Sequence, residues 1–131
     1  MVIDLDGQAN LTESFGYSIE EPQTIYGAMK GEYPLPVLKT ESGLSLVPSC
    51  LDLSAAESEL INEPGREMIL RGLLAKYEGT SKYDYVIIDS PPLGPVIDAA
   101  VISTICDGSI IVIASGKTQY HEIMSAKEQL E

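Results

Sequence analysis

The sequence predicts an α/β fold with a mostly parallel sheet, and three features carry that prediction. Two runs, Val86–Ile88 and Ile110–Ala114, are continuously apolar and largely β-branched, which is how strands covered on both faces read. Segments of helical periodicity alternate with the strand-like ones, a pattern that gives parallel strands joined by right-handed crossovers. Finally, the run from Tyr83 ends abruptly in Asp89-Ser90-Pro91-Pro92. Proline cannot donate to a sheet ladder, so the strand stops where the Asp89 carboxylate emerges. Ligands of open α/β sheets sit beyond the carboxyl ends of strands, so Asp89 is placed for a phosphate-bound magnesium ion. An apolar run ending in Asp has the shape of a Walker B segment, and it equally suits a capped structural strand.

Each element follows from its residues in order. Met1-Val2-Ile3-Asp4-Leu5-Asp6 reads as a short strand whose two acids, two residues apart, share a face. Beside Gln8 and Asn10 they suit either the orientation of water or a metal ion, or a polar strand end with Asx-type turns. A helical turn follows over Leu11–Gly16, and a short helix runs from Thr24 to Gly31. Leu35–Leu38 reads as a weak edge strand and Gly43–Pro48 as a better, alternating one. Ser54-Ala55-Ala56-Glu57 is a capping box that opens a helix. Pro64-Gly65 breaks it, and a second helix places Ile69, Leu70, Leu73, Leu74 and Tyr77 on one face. After the Asp89 strand come a buried helix over Asp98–Cys106 and a strand over Ser109–Ser115. A last helix is striped by Tyr120, Ile123, Met124 and Leu130.

Bulk properties exclude several function classes. The chain of 131 residues has the length of one domain, carries a net charge of −12, and is 44% hydrophobic, an ordinary globular composition. Residues 1–63 hold 11 acids against 2 bases, and residues 64–131 hold 9 against 6. No basic cluster exists, so the electrostatic footprint of nucleic-acid or anionic-membrane binding is missing. No segment approaches the length of a membrane span, and no signal-peptide pattern opens the chain. Cys50 and Cys106 stand in no metal-ligand spacing and suit a reducing cytoplasm.

Ser115-Gly116-Lys117-Thr118 mimics the end of a phosphate loop. The full loop needs a glycine where Ile111 stands, inside an apolar run, so a strand-to-helix turn is expected instead. His121, the single histidine, falls on the surface of the last helix with no acid or nucleophile near it in sequence.

With these residues set out, a resemblance is clear. Val2-Ile3-Asp4-Leu5-Asp6-Gly7-Gln8-Ala9-Asn10-Leu11-Thr12 resembles the D-x-D-P-Q-x-N-x-[ST] nucleotide motif of ParA/MinD-type deviant-Walker ATPases, and the likeness extends over roughly the first 90 residues. Gly7 replaces the usual proline, which is expected to loosen the turn. From Tyr83 onward the chain is more similar to bacterial capsular-polysaccharide tyrosine kinases, through Ile88-Asp89-Ser90-Pro91-Pro92-Leu93-Gly94, Val96–Val101 and Ser115–Thr118. Both families share one P-loop fold, so the resemblance implies a three-layer α/β/α architecture, here a single, N-terminally truncated domain over residues 1–131.

The resemblance also implies roles. Asp6 would be catalytic, orienting the attacking water near the γ-phosphate. Asp4 and Asp89 would serve the magnesium ion, Asp4 supporting its shell and Asp89 as the Walker B acid. Asn10 and Pro91 would lie against the nucleotide. ATP and Mg²⁺ are the implied cofactors, and a homodimer or a P-loop-bearing partner the implied assembly. The glycine- and lysine-bearing loop of both families has no counterpart among these residues, and with it goes most of the grip on a triphosphate. Three readings follow: a fragment of a ParA/MinD-like ATPase, inactive alone; a remnant of a tyrosine kinase; and a non-catalytic interaction module with the ParA fold.

Overall fold

The computed structural model describes residues 1–54, 66–77, 79–91 and 99–130. Its centre is β1 (Val2–Asp4), and the sheet is assembled around that strand. A turn leads to α1 (Asn10–Ser14), then α2 (Ile25–Met29), β2 (Leu38–Lys39) and β3 (Ser45–Val47). The longer α3 (Arg66–Lys76) and a 3₁₀ turn at Thr80–Lys82 precede β4 (Ile87–Asp89). The chain ends through α4 (Ala99–Ser103) and α5 (Tyr120–Leu130).

The sheet order is β2-β3-β1-β4, with β1 parallel to both of its neighbours and β2 antiparallel to β3. The mostly parallel α/β architecture expected from the sequence is therefore present. Val2 and Ile3 stand beside Leu46 and Val47 on one side, and beside Ile87 and Ile88 on the other. Alternation along β1 sends Met1, Ile3 and Leu5 to one face, where they join Ile25, Val47, Leu53, Leu70 and Ile102 in the core. The apolar stripe of α3 works as its spacing predicts: Leu70 is buried, and Leu73, Leu74 and Tyr77 pack against the cluster. Cys50 and Cys106 are both free thiols.

Two placements differ from the expectation. The Asp89 strand is an edge strand of this sheet rather than an interior one: β4 pairs with β1 alone, and Ile87 is 56% exposed. The expected strand at Ile110–Ala114 is not a strand, and Ile110 and Val112 are 88% and 91% exposed. The reason is common to both. β-Propensity expresses packing against neighbouring strands, and no described strand lies against β4's outer edge or beside residues 110–114. The Gly43–Pro48 strand also departs from alternation, since Ser45, Leu46 and Val47 are all buried. The helix expected from the Ser54–Glu57 capping box lies, beyond Ser54, outside the described residues. α5 has no buried residue, and its Tyr120 and Met124 are exposed.

Candidate functional site: the acidic end of the parallel strands

Parallel pairing brings the acids together. Asp4 and Asp89 are register partners at the carboxyl ends of β1 and β4, and the Leu5 amide donates to the Asp89 carbonyl at 2.8 Å. Asp6 follows two residues beyond Asp4, where the chain leaves the sheet. The Asp89 carboxyl is pushed above its ordinary value first by partial burial, then by the charges of Asp4 and Asp6. The register itself sets Asp4 and Asp89 at one end of the sheet, with Asp6 two residues beyond Asp4.

They are not equivalent. The Asp4 carboxylate is fully buried and held by three donors. Its Oδ2 accepts from the Thr12 amide at 2.8 Å and from the Thr12 hydroxyl at 2.6 Å, and its Oδ1 accepts from the Asp6 amide at 3.1 Å. Asp6 is only partly covered, and its own Oδ1 accepts from the Gln8 amide at 2.9 Å. Asp89 is exposed. Asp89 is therefore open to solvent and Asp6 partly so, while Asp4 is enclosed.

The turn between β1 and α1 is tightly specified. The Ala9 amide donates to the Asp6 carbonyl at 2.9 Å, and Ala9 takes a left-handed φ of 54° to enter α1. Asn10, the first residue of α1, is exposed beside the acids in sequence, and Pro91 follows β4 half-buried. Gly7 lies within this turn. It is buried, and a Cβ there would stand 2.7 Å from the Ser54 amide nitrogen and 2.9 Å from the Ser54 Cβ. Glycine is needed at that point for close approach between the turn and residues 52–54.

Thr12 and Ser49 are the residues that sequence reasoning left without a role. The Thr12 hydroxyl, while donating to Asp4, accepts from the Ser49 amide at 2.9 Å. Thr12 and Ser49 are both fully buried, and Ser49 Oγ has no hydrogen-bond partner among the described residues. The available signal was the demand of Asp4 itself: a carboxylate between apolar strand residues needs donors, and Thr12 is a small hydroxyl on the next helix.

The mimic of a phosphate loop is a turn, as expected. Gly116 has a φ of 75°, and the Lys117 and Thr118 amides donate to the Ala114 carbonyl at 3.1 and 3.0 Å. Amides spent in this way cannot cradle a phosphate. His121 is exposed on α5. Among the described residues no group of three or more metal-ligating side chains has ligand geometry, and no helix is long and apolar enough to cross a membrane.

Comparison with known proteins adds identity to this geometry. The AAA_31 family model, described as an AAA domain, matches residues 1–125. The probable plasmid-partitioning protein ParA of Thermus thermophilus is 36% identical over 116 residues, which cover 86% of this chain and 34% of that protein. The tyrosine-protein kinase CpsD of Streptococcus pneumoniae serotype 4 is 53% identical over 49 residues, 37% of this chain and 22% of the kinase, in the C-terminal part. Among solved structures, cobyrinic acid a,c-diamide synthase from Mycobacterium smegmatis, with bound ATP analog and magnesium, aligns with a TM-score of 0.64 and 36% identity. That alignment covers 71% of this chain and 39% of the synthase. The apo McdA structure from Cyanothece aligns with a TM-score of 0.60 and 32% identity, covering 70% of this chain and 37% of McdA. The chain thus spans about a third or less of the curated relatives it matches. It belongs to the AAA-domain family, among the ParA-like P-loop ATPases.

Proposed function

We propose that these residues form the magnesium- and water-handling part of a ParA-like ATPase, one partial nucleotide-binding domain whose phosphate loop comes from outside the 131 residues. The observation that carries this reading is the pairing of Asp4 with Asp89 at the carboxyl ends of two parallel strands, with Asp6 just beyond. Carboxylate and water oxygens are what a hard cation prefers, and magnesium takes only one or two carboxylates with water, so a group of three ligating side chains is not required. The like-charged neighbours that raise the Asp89 carboxyl mark a place where a divalent ion relieves repulsion. When bound, the ion offsets phosphate charge. In this reading Asp89 would hold the ion, Asp6 would orient the attacking water, and Asp4 would support both. Asn10 and Pro91 border the nucleotide. A triphosphate is gripped mainly by loop amides and a lysine, so the chain by itself binds ATP poorly and hydrolyses none above background.

The test uses the chain extended before Met1 by a glycine- and lysine-bearing phosphate-loop segment. Asp6→Asn should abolish hydrolysis and spare ATP binding, while Asp89→Asn should weaken the magnesium dependence of both. Full hydrolysis by the Asp6→Asn form would remove Asp6 from the reaction. The 53% identity to CpsD supports a second reading, part of a tyrosine kinase. Phosphotyrosine formation by the extended chain would favour that reading over hydrolysis alone.

A further inference from the structure

We propose that Thr12 is the positioning residue of the acidic site, holding Asp6 in place through the buried Asp4 carboxylate. The inference rests on the reading of Asp6 and Asp89 as a metal and water site, and it adds a residue to which that reading gives no part.

Three observations carry it. Thr12 binds one carboxylate oxygen twice, through its amide at 2.8 Å and its hydroxyl at 2.6 Å. The other oxygen of the same carboxylate accepts from the Asp6 amide at 3.1 Å, so Asp4 bridges Thr12 to the backbone that carries Asp6. The Thr12 hydroxyl is itself fixed, because it accepts from the Ser49 amide at 2.9 Å just past the end of β3. A hydroxyl has one proton to give, and here it goes to Asp4 while a lone pair takes the Ser49 proton. The direction of both bonds is therefore set. Thr12, Asp4 and Ser49 are fully buried, so no water competes for the bonds among them, and the Asp6 amide bond to Asp4 is part-buried. The sequence Ser49 amide, Thr12 hydroxyl, Asp4 carboxylate, Asp6 amide ties the ends of β3 and β1 to the turn that presents Asp6. Such supporting partners orient the groups in front of them, and their loss lowers metal affinity by roughly 10–100-fold.

The experiment uses the chain as it is, in wild-type, Thr12→Ser and Thr12→Val forms, with Mn²⁺ as the probe and NMR as the readout. Thr12→Ser keeps the hydroxyl, whereas Thr12→Val keeps the shape and the amide bond to Asp4 but loses the hydroxyl. Mn²⁺ should broaden Asp6 and Asp89 equally well in wild type and Thr12→Ser. In Thr12→Val the concentration needed should rise about tenfold or more, the Asp6 and Ser49 amides should shift and exchange faster, and the rest of the sheet should keep its spectrum. Unchanged Asp6 and Ser49 amides in Thr12→Val overturn the proposal, as does a Thr12→Ser form that behaves like Thr12→Val. Should Thr12→Val fail to fold, Thr12→Ala takes its place, and loss of the fold in both makes Thr12 structural only. If wild type shows no Mn²⁺ broadening at the acids, the metal-site reading falls, while the amide shifts still decide the role of Thr12.

Discussion

At the scale of single residues, the acidic site is a place where burial and like charge oppose folding and a few donors offset them. Asp4 is satisfied by Thr12 and the Asp6 amide; the charges of Asp4 and Asp6 that act on Asp89 are both of its own sign. A carboxyl raised above its ordinary value of 3.8 binds its proton more tightly folded than unfolded. The stability it contributes is present below 3.8 and is lost as pH rises through the higher folded value. Asp89→Asn should therefore remove this downward slope from a series of urea melts across the acid range. Near neutral pH it should stabilise the chain by less than about 1 kcal/mol, because solvent screens so exposed a group. A variant less stable than wild type at neutral pH would contradict the electrostatic account. Ser49 gives a second residue-scale expectation. Its amide holds Thr12, but its hydroxyl is buried without a partner. Ser49→Ala keeps the bond and removes the orphan, so urea midpoints should be unchanged or raised by about 1 kcal/mol of stability. A loss of more than about 1 kcal/mol would mean that the hydroxyl has a partner after all.

At the scale of elements, what could be read from sequence was whatever is local. The acids of Met1–Asp6 were visible because strand alternation puts positions 4 and 6 on one face, and the α3 stripe because i, i+3, i+4 spacing fixes a helix face. The phosphate-loop mimic at Ser115–Thr118 was recognisable as a turn because Ile111 occupies the position of a required glycine. Thr12 was visible only as the last position of the D-x-D-P-Q-x-N-x-[ST] run; its bonds to Asp4 and Ser49, 8 and 37 residues away, were not, since no period relates them. Nor could composition show that Ile110–Ala114 lacks a partner strand, because an apolar run reads the same whether or not its neighbours are supplied. This last point is testable. With Val112 91% exposed, Val112→Lys should leave the melting temperature within the range of ordinary surface changes and lower the tendency to aggregate. A drop of several degrees would show that residues 110–114 are packed in the isolated chain.

At the scale of the whole molecule, the two departures at β4 and Ile110–Ala114 and the proposed dependence on an added phosphate loop belong together. β4 presents its outer edge and Ile87 to solvent, and the apolar run of residues 110–113 is exposed too. Relatives that align with this chain are covered only to about a third of their length. In the proposed reading Asp4, Asp6 and Asp89 handle metal and water, and the amides and lysine that grip phosphate come from outside these residues. The like charges gathered at Asp4, Asp6 and Asp89 disfavour a polyanion. The most direct test is calorimetric titration with ATP and magnesium, of the chain as it stands and of the version extended by a phosphate-loop segment before Met1. The account predicts no measurable binding in the first and micromolar binding in the second. Micromolar binding by the unextended chain would contradict it, because a backbone nest within residues 1–131 would then be doing the phosphate loop's work.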